Sequence, residues 1–211
     1  MHHERCRAPY LDNLDAKLHS FLRDIREGVH LFRGITDSTL THGEGWEFIQ
    51  LGRYLERACA VSTLIRAQFR EMPDIPDRIP APGEHLEWVG LLKCCTAFEA
   101  FCKAYNADPW PERVADFLIL HRDFPHSIRF SAVRIGNSLR TIGDESHARN
   151  RAETDRLAGR LRATLDFTRI EEILSGGLHT FLLGIEDQCA RIHEAVYETF
   201  IEYPVEVALA G

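Results

Sequence analysis

Long apolar runs are missing from this chain. No window of its 211 residues approaches the roughly 20 consecutive apolar residues that cross a bilayer as a helix, so no membrane crossing is expected. The opening stretch, MHHERCRAPYLDNLDAK, lacks the apolar segment of a secretory signal, and the cytoplasm is the expected location. An excess of positive charge is missing too. Lys and Arg number 25 against 32 Asp and Glu, for a net charge of −7. That balance argues against a general nucleic-acid backbone binder, which presents a basic face; it leaves room for a local basic patch. The cysteines Cys6, Cys59, Cys94, Cys95, Cys102 and Cys189 follow no Cys-x-x-Cys spacing. Neither a zinc site nor a disulfide framework is expected, and the thiols read as buried and unlinked on helix faces. There is no Gly-rich phosphate loop and no Gly-x-Ser-x-Gly elbow. No segment alternates with period two, so no sheet is expected.

What the chain does have is helical periodicity nearly throughout. Leu18, Leu22, Ile25, Val29, Phe32 and Thr36 step by three and four, as do Phe48, Leu51, Leu55, Ala58, Ser62, Ile65 and Phe69. Further stripes run through Leu91, Cys94, Phe98, Phe101 and Tyr105, through Ile128, Ala132, Ile135, Leu139 and Ile142, and from Leu178 to Thr199. Each is wide enough to bury against neighbouring helices. MPDIPDRIPAPG, residues 72–83, carries four of the nine prolines and reads as an extended loop. Asp108 is placed to cap a helix that has a proline in its first turn. Gly143 marks a helix stop, TRIE at 168–171 has capping-box spacing, and the last helix is expected to reach Tyr203, ahead of Pro204. The expectation is an all-α, antiparallel bundle of about five long and two or three short helices, forming a single domain over residues 1–211.

One turn of the second helix breaks the pattern. In GRYLERA, residues 52–58, Gly52, Arg53, Glu56 and Arg57 crowd together in an otherwise core-facing helix. Beside the main seam runs a row of Gly45, Ile49, Gly52, Glu56, Cys59 and Thr63, small or apolar apart from Glu56. Glu56 is therefore expected to point inward or to a helix–helix contact, paired and hydrogen-bonded. Arg53 can reach it from three residues back, or a partner can come from another helix. Gly52 is expected to admit a close neighbouring backbone. This arrangement reads either as a buried ion-pair network that fixes bundle register or as a polar interhelical pocket.

A second cluster is DFPHSIRF, residues 123–130. Pro125 can open a helix whose first-turn N–H groups, at His126 and Ser127, face an anion. Arg129 projects from the same helix start and can reach Glu56 or an anionic ligand. Other constellations are thin. Glu27-x-x-His30 is half of a di-metal motif, but its nearest second copy, Asp144-x-x-His147, falls beyond the expected helix end. Cys189 and His193 are one turn apart, a spacing that more often means core plus surface. No metal and no cofactor is expected.

HLFRGITDSTLTHGEGWEFIQLGRYLERA followed by FPHSIRF resembles the bacterial alpha-E domain family, an all-helical fold with a Glu-Arg motif. The likeness spans about residues 15–203, and GWEFIQLGRYLERA carries most of it. Family members have an earlier copy of a similar segment, so this chain resembles roughly their C-terminal two-thirds. His126 stands where the family usually has Arg. By resemblance, Asp37, Gly45, Trp46, Gly52, Arg53, Glu56, Arg57, Ser127 and Arg129 occupy motif positions. Family members are encoded beside or fused to ATP-grasp-like ligases and transglutaminase-like proteases. The resemblance thus implies an accessory module of a peptide-modification system, binding a peptide or a partner enzyme through Arg53, Glu56, Arg57, Ser127 and Arg129. The alternative is an enzyme with a buried Glu/Arg interhelical active site acting on a peptide or amide. A homo-oligomer, in which a second chain supplies the absent repeat, is a third expectation.

Overall fold

The computed structural model describes residues 8–69, 83–106, 108–146 and 151–201. The chain divides between His42 and Gly43 into two compact units, at a point where the sequence shows no linker composition. The first unit holds α1 (Ala8–Thr39). The second holds α2 (Glu44–Phe69), α3 (Glu84–Cys94), α4 (Phe98–Tyr105), α5 (Pro111–Leu120), α6 (Ile128–Glu145), α7 (Ala152–Phe167), α8 (Ile170–Gly176) and α9 (Leu178–Val196), which runs on into a π-helical segment, Tyr197–Ile201. The fold is all-α, with no strand among the described residues.

The second unit is organised around α2, which packs against α6 on one side and α9 on the other, with α7 bridging α6 and α9. The stripes predicted for α6 and α9 are the ones buried: Ile128, Ala132, Ile135, Leu139 and Ile142, and Leu178, Leu182, Ile185, Cys189, Ile192 and Val196. Trp88, Phe101, Phe117 and Leu161 fill the spaces between helices. Each such large apolar side chain contributes about 1.5–3 kcal/mol when removed from water.

The α1 stripe departs from expectation. Leu18, Phe21, Leu22, Ile25, Val29 and Phe32 are 48–61% accessible, because among the described residues their unit contains no second helix to cover them. Helix boundaries depart in smaller ways. The stripe from Leu91 to Tyr105 is cut into α3 and α4 by Thr96, which sits in the left-handed region at φ 50°. The apolar spacing runs on across the break, so periodicity alone does not register it. α7 is a further long helix outside the stripes named above. Gly143 does not stop α6, which continues to Glu145. Instead the Arg151 side chain passes so close that a Cβ at Gly143 would lie 2.7 Å from it. Asp108 does not cap α5; it pairs with Arg113 at 2.6 Å, and Trp110 takes the cap position. The predicted TRIE box is shifted by one residue, since the Glu172 carboxylate, not that of Glu171, accepts from the Arg169 N–H at 3.0 Å. The Pro-rich stretch up to residue 82, His147 and the stretch around Tyr203 lie outside the described residues.

Candidate functional site

The burial of Tyr54 fixes the rotation of α2. Gln50, Leu51, Tyr54, Leu55, Ala58, Val61, Ser62 and Ile65 form the buried side. Residue 56 lies about 200° round the helix from residue 54, and Glu56 is accordingly exposed. This corrects the inward carboxylate expected from the sequence. The row Gly45, Gly52, Glu56 and Thr63 is solvent-facing, and Glu56 makes no ion pair among the described residues. The buried Glu/Arg arrangement of the enzyme reading, and the register lock built on it, are absent. Gly52 does not admit a neighbouring backbone either, because a Cβ there would meet nothing within 4 Å. It lines an apolar groove of about 300 Å³ with Phe48, Leu51, Leu55, His193, Val196 and Phe200.

What α2 turns toward α6 is a tyrosine ringed by arginines. The Arg53 guanidinium carbon lies 4.7 Å from the Tyr54 ring centre, that of Arg57 at 5.2 Å and that of Arg134, from α6, at 5.6 Å. Phe130, one turn before Arg134, packs against the same ring with centroids 5.9 Å apart. Arg53 donates to the Tyr54 hydroxyl at 3.0 Å and also to Gln50 Oε1. Arg57 donates to the Pro125 carbonyl at 2.9 Å, tying α2 to the loop before α6. Each cation gains about 0.5–1 kcal/mol from the ring quadrupole. Three like charges round one ring still repel each other. Among the described residues neither Arg53 nor Arg134 is matched by a carboxylate, and the Nε of each is buried without a hydrogen bond. Forked donors in such a setting suit a carboxylate or another planar anion.

The remaining motif residues are distributed elsewhere. Ser127 is buried and works as the N-cap of α6: its hydroxyl accepts from the Phe130 N–H at 3.0 Å and donates to the His121 carbonyl at 2.5 Å. Its own N–H donates to the Phe124 carbonyl at 2.9 Å, so the anion site expected at this helix start is not formed. His126 Nδ1 lies 3.3 Å from the Thr96 hydroxyl. Arg129 turns away from Glu56 and clamps Asp166 of α7, with Nε and Nη2 at 2.9 and 2.8 Å from Oδ1; Arg162 reaches the other carboxylate oxygen at 3.2 Å. Burial opposes ionisation of Asp166, but the two arginines outweigh it and hold the carboxyl below its ordinary value of 3.8. These residues line a cavity of about 370 Å³ with Arg122, Val133 and Phe167. Asp37 lies on α1, where its carbonyl is 3.1 Å from His42 Nε2. Gly45 is exposed and Trp46 half-buried near the start of α2.

The structure therefore brings together Arg53 and Arg57 and leaves Glu56, Ser127 and Arg129 apart from them. Sequence reasoning missed Gln50, Tyr54 and Arg134. Tyr54 lay inside the motif, and Arg134 follows Phe130 by one helical turn, which was the available signal. Among the described residues, no group of three His, Cys, Asp or Glu side chains could hold a metal ion, and no helix is long and apolar enough to cross a membrane.

Fold and site together define an all-helical domain whose most distinctive feature is an arginine cluster on the motif helix. The family model of Alpha-E, described as a predicted alpha-helical domain with a conserved ER motif, matches residues 4–201. The chain belongs to the Alpha-E family, and the match begins earlier than the resemblance read from the motifs alone. No curated protein matches the chain, and no solved structure matches it.

Proposed function

We propose that this Alpha-E protein is a non-catalytic binding module that takes an anionic group of a peptide, a carboxylate, between α2 and α6. The observation that carries the reading is the Tyr54 cluster, where Arg53 and Arg134 have buried donors and no carboxylate to meet them. Both arginines are half-buried, but a donor sealed from water without an acceptor is costly, and a ligand carboxylate would supply both the acceptor and the missing charge. The module serves a cytoplasmic peptide-modification system, with an ATP-grasp-type ligase or a transglutaminase-like protease as partner. The net charge of −7 disfavours nucleic acid as the anion. A peptide array probed with wild type and Arg53→Gln tests the first half of the reading. Acidic peptides should be retained by wild type and lost by the variant; equal retention by both would contradict it. Affinity purification against an ATP-grasp-type ligase and a transglutaminase-like protease from the same cell tests the second half, which fails if neither is retained.

A second reading concerns assembly. On α1, residues 18, 22, 25, 29 and 32 repeat at alternating spacings of four and three, the seam of a coiled coil, and within their own unit nothing among the described residues covers them. This supports self-association through α1.

A further inference from the structure

Two cysteines that the site does not use face each other across α2 and α9. Both helices belong to the second unit, and they run antiparallel in a register fixed by contacts at either side of the pair. Phe48 meets Phe200 edge to face, with ring centroids 5.7 Å apart. On the other side, Arg66 grips Glu186 at 2.7 Å, and Thr63 reaches the same carboxylate at 3.3 Å. Cys59 stands eleven residues after Phe48, and Cys189 eleven before Phe200. The register therefore sets the two thiols opposite one another. Helix axes in contact lie about 8–10 Å apart, and each Cα sits about 2.3 Å from its axis. Facing Cα atoms then lie about 3.4–5.4 Å apart, a span that overlaps the roughly 4.4–6.8 Å of a disulfide. Both cysteines are unlinked; Cys59 is half-buried and Cys189 buried.

We propose that Cys59 and Cys189 are a peroxide-responsive dithiol that closes to a disulfide joining α2 to α9. The roles are unequal. The hydrogen bond from the Cys189 thiol holds Cys59 below the ordinary thiol range, although burial and the charges of Glu186 and Glu56 oppose this. That same hydrogen bond, with burial, pushes Cys189 far up. Cys59 is thus the thiolate that meets oxidant, and it is the more accessible of the two. Its sulfur attacks hydrogen peroxide, an S–O bond forms as the O–O bond breaks, and the departing hydroxide takes up a proton as water. The Cys189 sulfur then attacks the Cys59 sulfenic acid. The S–S bond forms, the S–O bond breaks, and the Cys189 proton leaves with the hydroxide as a second water. Two thiols lose two electrons, and one peroxide becomes two waters. The link pins the motif helix to α9. Cys95 offers a contrast within the same chain, because burial and its neighbour Cys94 push that thiol up to about 12.

Peptide mapping of the full chain after hydrogen peroxide, without reductant, tests this. Trypsin places Cys59 in residues 58–66 and Cys189 in residues 170–191, each the sole cysteine of its peptide. A crosslink between these two peptides, reversed by dithiothreitol, is the expected result and should account for most of the oxidised chain. In Cys189→Ser, dimedone should instead trap Cys59 as a sulfenic acid. Circular dichroism of each variant guards against a folding defect. The proposal is overturned if wild-type Cys59 stays reduced, if its sulfenic acid persists beside Cys189, or if the crosslinks join other cysteines instead.

Discussion

Tyr54 decides what the motif turn of α2 presents. Burying its ring turns Arg53 and Arg57 toward α6 and sends Glu56 into solvent. Glu56→Gln should therefore change stability by less than about 0.5 kcal/mol, read as an unchanged urea midpoint; a loss of several kcal/mol would mean the carboxylate is buried after all. Arg129 and Asp166 behave differently, because their side chains are only 14% and 26% accessible. Asp166→Asn should cost about 1 kcal/mol near neutral pH, at the upper end for pairs that solvent still screens. The folded-state pKa of Asp166 is depressed, so this contribution is present above 3.8 and is lost as pH falls through the lower folded value. Urea titrations of both proteins should differ by a constant amount well above pH 3.8, and draw together below it as pH falls through the lower folded value. The glutamate of the motif was mislocated from sequence because its row looked small and apolar. One aromatic residue, large enough to dominate the packing, set the rotation instead.

At the level of elements, caps and breaks matter more than stripes. Ser127 closes the start of α6 with one accepted and one donated hydrogen bond. Ser127→Ala removes both at a buried position and should destabilise the fold by about 1–2 kcal/mol, seen as a lower thermal midpoint with helical content retained. The existence of α2, α6 and α9, and the faces they bury, were legible in their three-and-four spacing. The break at Thr96 was not, since a residue with no special turn propensity takes the left-handed conformation there. The arginine cluster was half legible. Arg53 and Arg57 stood out within the motif, but their meeting with Arg134 depends on how α2 and α6 pack, which no local pattern contains.

For the whole molecule, the division at His42–Gly43 leaves α1 with an apolar seam to cover. If that seam mediates self-association, the protein should sediment at twice its 24.2 kDa. Ile25→Asp should return it to the monomer mass without loss of helicity. A monomeric wild type, or a dimer that survives the substitution, would remove α1 from the account. The central claim rests elsewhere, on the arginines around Tyr54. Its most direct test is a calorimetric titration of one acidic peptide, against its amidated glutamine counterpart, into wild type and Arg134→Gln. Charge-assisted hydrogen bonds contribute about 1.5–3 kcal/mol, so wild type should favour the acidic peptide by roughly tenfold or more. Arg134→Gln should lose most of that preference while remaining folded. Equal affinity for the two peptides, or a preference untouched in the variant, would contradict a carboxylate site between α2 and α6.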